Sequence, residues 1–227
     1  MTSGGMGAET AAQRQTRPAS TDSQLPAGTA LPLPAAVEPT ADNVLEHLAR
    51  RFSVGPRHLV DPAPSAAQLL QAACLALRAP DHGGLAPFRF VQVGDGQRQR
   101  LASLFAQGAA RRGHGADEVE RARQRALNGP ALLALIGHID EGVDAVPAHE
   151  QWLCIGAGLM NLLNALHLMG FGAKTLSGAS VGDPDIQQAF CEGGEQLLAW
   201  VVAGTPTKAA HARKPQDASR VLSDWRP

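Results

Sequence analysis

One stretch constrains the fold more than any other: PAHEQWLCIGAGLMNLLNALHLMG, from Pro147 to Gly170. It is apolar nearly all round, opens on a Pro and closes on a Gly, which are ordinary helix boundaries. Its length invites a membrane-spanning reading. Asn161, Asn164 and His167 lie inside it, and polar groups at that density are costly in lipid. What remains is a buried helix of a soluble protein, and such a helix must be covered on every side. A chain of 227 residues with 44% hydrophobic content builds one sizeable core. One core has trouble wrapping this helix alone, so part of its surface is expected at a subunit interface. Gly156 and Gly158 would permit close approach along it.

The flanking segments supply the other layers. Order is expected from Asp42, read as the N-cap of a helix carrying Val44, Leu45 and Leu48. That helix ends at Arg50-Arg51, and Phe52, Ser53 and a Gly-Pro turn follow. Ser65 and Gln68 form a capping box for a second helix. Its buried stripe reads Leu69, Leu70, Ala73 and Leu77, and Pro80 stops it. PFRFVQVG alternates as a strand. Arg98 to Ala110 is a helix with Leu101, Leu104 and Phe105 inward. ADEVERARQRAL mixes charges of both signs at helical spacing and reads as a solvated helix. PALLALIGHI is a buried central strand. Beyond the long helix, FGAKTLSGASVGDP reads as a loop, PDIQQAF as a short helix and QLLAWVVAGTP as another buried strand. This order predicts an α+β sandwich with a few-stranded sheet. No internal repeat is present.

Residues 1–40 are rich in Ala, Pro, Ser, Thr and Gly, without periodicity. They lack a basic region followed by an apolar one, so they read as a disordered extension and not a signal peptide. Residues 41–227 form the domain. The tail is basic at first, with Lys208, Arg213 and Lys214, and ends in Val221, Leu222 and Trp225. An exposed apolar end of that kind is expected to dock.

Several functions are excluded or unsupported. A net charge of −1 gives no global basic field for nucleic acid. Three cysteines, widely spaced and outside any CxxC or His/Cys cluster, support neither a disulfide framework nor a zinc site. The chain is read as intracellular and cytoplasmic. No GxGxxG, Walker loop or GxSxG occurs. His138 with Asp140 and His149 with Glu150 lack metal-site spacing.

Three segments could carry chemistry. Arg50, Arg51 and Ser53 offer guanidinium forks and a hydroxyl to a phosphate, although basic residues also complement a helix C-terminus with no ligand. In RAPDHGG, Arg78 and His82 flank a helix stop, and two glycines let backbone approach a flat ligand; a solvated Gly-rich turn explains the same residues. In GFGAKTLSG, small residues after the C′ glycine Gly170 could cross a ring face, or form a tight loop between helices.

Read in order, these segments resemble the nitroreductase family of flavoproteins, most closely its minimal YdjA-type subgroup. The resemblance rests on Arg50-Arg51-Phe52-Ser53, Pro62-Ala63-Pro64, Arg78-Ala79-Pro80-Asp81-His82 and Pro87-Phe88-Arg89-Phe90. It continues through Gly129-Pro130, Pro147 with Glu150-Gln151, Gly170-Phe171-Gly172 with Ser177-Gly178, and Gly204-Thr205-Pro206. It implies a three-layer sandwich with a mixed sheet flanked by helices, in an intertwined homodimer. It implies an FMN-dependent oxidoreductase with NAD(P)H as reductant, a nitroaromatic- or quinone-like acceptor, and flavins at the subunit interface. On matched positions, Arg50, Arg51, Phe52 and Ser53 would hold the FMN phosphate and ribityl chain. Arg78 and His82 would contact flavin, with Arg78 reaching the partner's. Thr175, Leu176 and Ser177 would line the ring. Ala165, Leu166, His167, Leu168, Met169 and Gly170 match a segment associated with nicotinamide binding. Arg213 would add a phosphate contact. No catalytic acid or base, no metal and no nucleic-acid or membrane partner is implied.

The sequence departs from the family pattern in four places. Phe52 stands where a Ser follows Arg-Arg, with Ser53 one place later. A few extra residues precede Pro62. Thr175-Leu176 replace a Trp-Arg, and Pro87-Phe88 replaces Pro-Trp. A wider pocket, a flavin-binding dimer without turnover, and a related fold running other flavin chemistry stay open on the sequence.

Overall fold

A computed structural model of the chain describes residues 41–208 and 217–226. Its centre is a sheet of five strands: β1 (Leu59–Val60), β2 (Phe88–Gln92), β3 (Ala131–His138), β4 (Gly172–Leu176) and β5 (Glu195–Pro206). The order is β1-β5-β3-β2, with β4 also paired to β5. β5 is long because it serves three neighbours. β3 runs along one edge, Ala131↔Ala203 to His138↔Glu195, while β4 and then β1 share the other. All these pairs are antiparallel. The expected mixed sheet is thus antiparallel among the described strands, and the parallel element is an isolated bridge from Ser53 to Ala173 of β4.

Among the described residues six α-helices flank the sheet: α1 (Ala41–Ala49), α2 (Ala66–Ala76), α3 (Asp95–Arg111), α4 (Ala116–Leu127), α5 (Ala148–Leu168) and α6 (Pro184–Phe190). They cover both faces of the sheet. Leu133, Leu135, Ala199, Val201 and Ala203 meet Leu69, Ala72, Ile155, Leu162 and Leu166 of α2 and α5. Leu132, Ile136, Trp200 and Val202 meet Leu101, Phe105, Ala122 and Ile186 of α3, α4 and α6. Strands with both faces buried have no polar alternation to show, which is why β3 and β5 read as continuous apolar runs. Each fully buried Leu or Ile contributes roughly 1.5–3 kcal/mol, so the three layers hold together mainly through these two cores.

Some expectations need correction. Asp42 lies within α1, not at its cap. The buried stripe of α2 is Leu69, Ala72 and Ala76, while Leu70 and Leu77 face solvent at 60% and 59% exposure. Alanines let α2 pack closely, and the leucines were assigned to the wrong face. The capping box of Ser65 and Gln68 is present. The segment read as a small-residue loop contains β4. Gly158 approaches the sheet, where an added Cβ would sit 2.4 Å from the Phe88 ring, whereas Gly156 has open space around it.

The long helix is covered on one face only. Gln151, Cys154, Ile155, Gly158, Leu162, Ala165 and Leu166 are buried. Trp152, Leu153, Met160 and Leu168 stay exposed, as do Val221, Leu222 and Trp225 near the C-terminus. Among the described residues, no helix is long and apolar enough to cross a membrane.

Candidate functional site

α1 ends where Arg50 and Arg51 cap its last turn, their backbone N–H groups donating to Glu46 and Leu48 carbonyls. The Arg50 guanidinium pairs with Glu46 one turn back. The chain then runs onto the sheet: Ser53 bridges Ala173, and the Val54 N–H donates to the Ala173 carbonyl at 3.1 Å. Val54 is 3% exposed and packs against Gly172, where a Cβ would sit 2.9 Å from its Cγ2 and 2.8 Å from Leu59 Cδ2. Gly172 is therefore required by the close approach. The clip seats the basic segment beside β4, two residues from Thr175.

Thr175 Oγ1 is buried without a hydrogen-bond partner among the described residues. An unsatisfied buried hydroxyl costs about 1–3 kcal/mol, so a partner from outside the chain suits it. Next along β4, Leu176 and Ser177 line a cavity of about 290 Å³. Its other walls are mainly apolar, with Pro56, Phe105, Leu132 and Trp200, and Arg125 and Asn128 also line it. The Trp200 indole N–H donates to Ser180 Oγ at 3.2 Å, which fixes that wall.

A second cavity, of about 320 Å³, lies at the C-terminal end of α5. It brings together residues predicted separately: Arg51 and Phe52 with His167, Leu168 and Gly170. His47 and Lys208, which sequence reasoning did not nominate, also line it. His167 Nε2 lies 2.8 Å from the His47 carbonyl, tying α5 to α1. Of the segment from Ala165 to Gly170, Ala165 and Leu166 are sealed in the core and Met169 packs against it. Only His167, Leu168 and Gly170 reach the cavity.

The third group sits apart. Asp81 organises the loop after α2: its carboxylate accepts from the Leu85 N–H at 3.1 Å and the Ala86 N–H at 2.8 Å. Gly83 takes φ +78°, and a Cβ there would sit 3.1 Å from Val146. His82 Nδ1 lies 2.8 Å from Glu150 Oε2, pinning the loop to the start of α5. Arg78 is exposed and makes no ion pair among the described residues. Glu150 and His167 stand seventeen residues apart on α5, roughly 25 Å at 1.5 Å per residue. His82 therefore lies at one end of the long helix and the Arg51 cavity at the other. Arg213 lies outside the described residues. Among those residues, no group of three or more His, Cys, Asp or Glu could hold a metal.

The model of the nitroreductase family matches residues 48–205, from just before Arg50 to Thr205. The chain belongs to the nitroreductase family. It is 29% identical over 165 residues to YdjA of Escherichia coli K12, a candidate NAD(P)H nitroreductase, covering 72% of this chain and 88% of that one. Among solved structures it resembles a nitroreductase-like family protein from Bacillus cereus, with a TM-score of 0.67, 18% identity, and 81% and 96% of the two chains covered. It also resembles a candidate nitroreductase from Desulfovibrio desulfuricans solved in complex with FMN, with a TM-score of 0.60, 18% identity and coverage of 83% and 100%. The family match thus covers the cavity beside Ser177, the Arg78–His82 loop, and the second cavity apart from His47, Pro206 and Lys208.

The residues that sequence reasoning missed left a faint trace. His47 lies three positions before Arg50 on α1, on the same helix face. Lys208 was visible only as the start of a basic tail. Nothing in the sequence marked Arg125 or Asn128 as neighbours of Ser177.

Proposed function

We propose that this nitroreductase-family chain is an FMN-dependent NAD(P)H oxidoreductase whose flavin site is built by two copies of the chain. The observation that carries the reading is the Ser53–Ala173 bridge, which sets the phosphate-suited segment Arg50–Ser53 beside the strand carrying Thr175, Leu176 and Ser177. The residues present fit a flat ring that ends in a phosphate. Two guanidiniums and a hydroxyl offer bidentate and single donors to a dianion. The cavity at Leu176 and Ser177 is largely apolar, and the Thr175 hydroxyl lacks a partner.

A bound FMN supplies the hydride chemistry, from a nicotinamide to a nitroaromatic- or quinone-like acceptor. The chain's own residues bind and orient. Arg50 and Arg51 hold the phosphate. Phe52 and Ser53 follow the ribityl chain. Leu176 and Ser177 border the ring. His167, Leu168 and Gly170 line the cavity at the end of α5, by which a nicotinamide would enter. No side chain is assigned as acid or base.

Two observations support the homodimer. The apolar side chains of Trp152, Leu153, Met160 and Leu168 stay uncovered on α5, and a helix of this composition needs cover. His82 sits at the start of α5, at the far end from the Arg51 cavity, an arrangement that suits Arg78 and His82 to a flavin held mainly by the partner copy. The three cysteines are free thiols, which suits a reducing, cytoplasmic location.

The visible spectrum of the purified protein tests the reading. A yellow protein, bleached anaerobically by NADH or NADPH and restored by a quinone, is the expected result. A protein that is colourless and takes up no added FMN would overturn it. Yellow colour that neither nucleotide bleaches would reduce the function to flavin binding.

A further inference from the structure

The loop that follows β4, residues 177–182, forms one wall of the cavity beside Leu176. Ser177 and Ser180 line that cavity together with Trp200. Loops are more mobile than the elements they connect, yet this one is tied down at three points. The Trp200 indole N–H donates to Ser180 Oγ at 3.2 Å. Gln187 of α6 donates from Nε2 to the Val181 and Leu197 carbonyls, at 2.5 and 3.2 Å. Its Oε1 accepts the Leu197 N–H at 3.0 Å, so the end of the loop is stapled to β5.

The third tie is Asp183, whose side chain is 2% exposed. Its Oδ1 accepts the Asp185 N–H at 3.2 Å and caps α6. Arg111 of α3 donates to the same oxygen at 2.7 Å, and Arg112, next along, donates to Oδ2 at 3.1 Å. A cap needs one carboxylate oxygen and no guanidinium. Two arginines at a buried carboxylate add little net stability, because desolvation offsets the attraction. What they do fix is geometry, since a carboxylate gripped on both oxygens has one position. α3 is adapted to this grip. A Cβ at Gly108 would sit 2.2 Å from Asp183 Oδ2 and 3.2 Å from Arg112 Nη1. Glycine weakens a helix, so α3 gives up helix stability at the turn where the carboxylate enters.

We infer that Asp183 is a positioning residue for the cavity beside β4. Held by Arg111 and Arg112, it fixes the loop of residues 177–182 and, through it, the place of Ser177. Side chains that border a ligand are held in place by a supporting shell of this kind. The identity of the ring in that cavity rests on the flavin reading; the hold on the loop does not.

Full-length Asp183→Asn and Gly108→Ala are the test variants. The first keeps the cap and removes the charge. The second drives the carboxylate off α3 and leaves every charged residue in place. Arg112→Lys is the charge-preserving control, and thermal melts show that each variant is folded. Amide hydrogen exchange on the flavin-free protein reports on the loop, where the Val181 N–H donates to the Gly178 carbonyl at 3.0 Å. FMN titration, and kcat and KM for NAD(P)H at saturating FMN, report on the cavity. Exchange across residues 177–182 is expected to quicken at least about tenfold in both test variants, the worth of one charge-assisted contact. FMN affinity and kcat are each expected to fall about tenfold or more, as for a misplaced binding group. KM for NAD(P)H should stay within about twofold, the mark of an effect on the reacting geometry alone. Arg112→Lys retains wild-type values. A lowered Tm with wild-type exchange, FMN affinity and kcat would make Asp183 a structural staple and overturn the inference. Faster loop exchange with unchanged FMN affinity and kcat overturns it too. A wild-type protein that takes up no FMN ends the flavin reading, and the exchange data then decide alone: acceleration confined to the loop supports the hold by Asp183, and wild-type protection overturns it.

Discussion

Ser53 and Ala173 form a parallel bridge that joins the end of α1 to β4. It connects a basic turn and a ring-sized cavity that lie some 120 residues apart in sequence. The contact depends on Gly172, because any Cβ there would strike Leu59 and Val54.

Gly172→Ala is therefore expected to push the Arg50–Val54 segment off the sheet. Overpacking of this kind costs about 1–3 kcal/mol. A lowered Tm together with weaker FMN retention is the expected pair of readouts, from thermal unfolding and from absorbance of the dialysed protein. A lowered Tm with unchanged flavin content would separate the bridge from the site.

Gly158→Ala tests how α5 sits on the sheet. Alanine favours a helix by up to about 1 kcal/mol, but its Cβ would lie 2.4–3.0 Å from three carbons of the buried Phe88 ring. The clash is expected to win, with a net loss of about 1–2 kcal/mol and a Tm drop of about 3–6 °C. Gly156→Ala meets no atom within 4 Å in the chain and serves as the contrast, expected to be neutral or stabilising by differential scanning calorimetry.

These two glycines show what was legible in the sequence and what was not. Layer order, the buried β3 and β5, and the long α5 could be read from apolar runs and capping residues. The site's candidate segments could be found because Arg, His and Gly are unusual in connectors. β4 was missed because Gly172, Ala173 and Lys174 carry no clear period of two. Its place is fixed by contacts with Val54, Leu59 and β5, which are distant in sequence. The face of α2 was misread because Ala72 and Ala76, not leucines, permit the close packing. Asp81 looked like a polar loop residue, yet it orders the turn through two backbone N–H groups. Lys208 entered the picture only when β5 delivered it to the end of α5.

A pH dependence follows from the edge of the sheet. Arg89 on β2 binds Glu195 on β5 through two hydrogen bonds, at 2.7 and 2.6 Å. The hydrogen-bonded Arg89 guanidinium is the main reason that the Glu195 carboxyl is held down to about 2, from an ordinary value of 4.5. A lowered folded value adds stability above the unfolded value, and that stability is lost as pH falls from 4.5 towards 2. Arg89 is 41% exposed, so solvent screening limits the effect to about 1 kcal/mol. Glu195→Gln should be less stable than the wild type at pH 7, with the gap closing below pH 4. Urea melts at the two pH values measure it, and a gap independent of pH would contradict the assignment.

The most direct test of the central claim is complementation between two defective chains. Arg51→Ala removes the near half of the site and Arg78→Ala the far half. Each homodimer alone should lose flavin. In a mixed dimer, one site carries both defects and the other carries neither. Co-refolding equal amounts, or co-expressing the two with different tags, is predicted to restore about a quarter of the wild-type FMN content and NAD(P)H oxidation per chain, by random pairing of two-fold dimers. Mixtures that stay as colourless as the separate variants would show that Arg51 and Arg78 do not serve one flavin across a subunit interface.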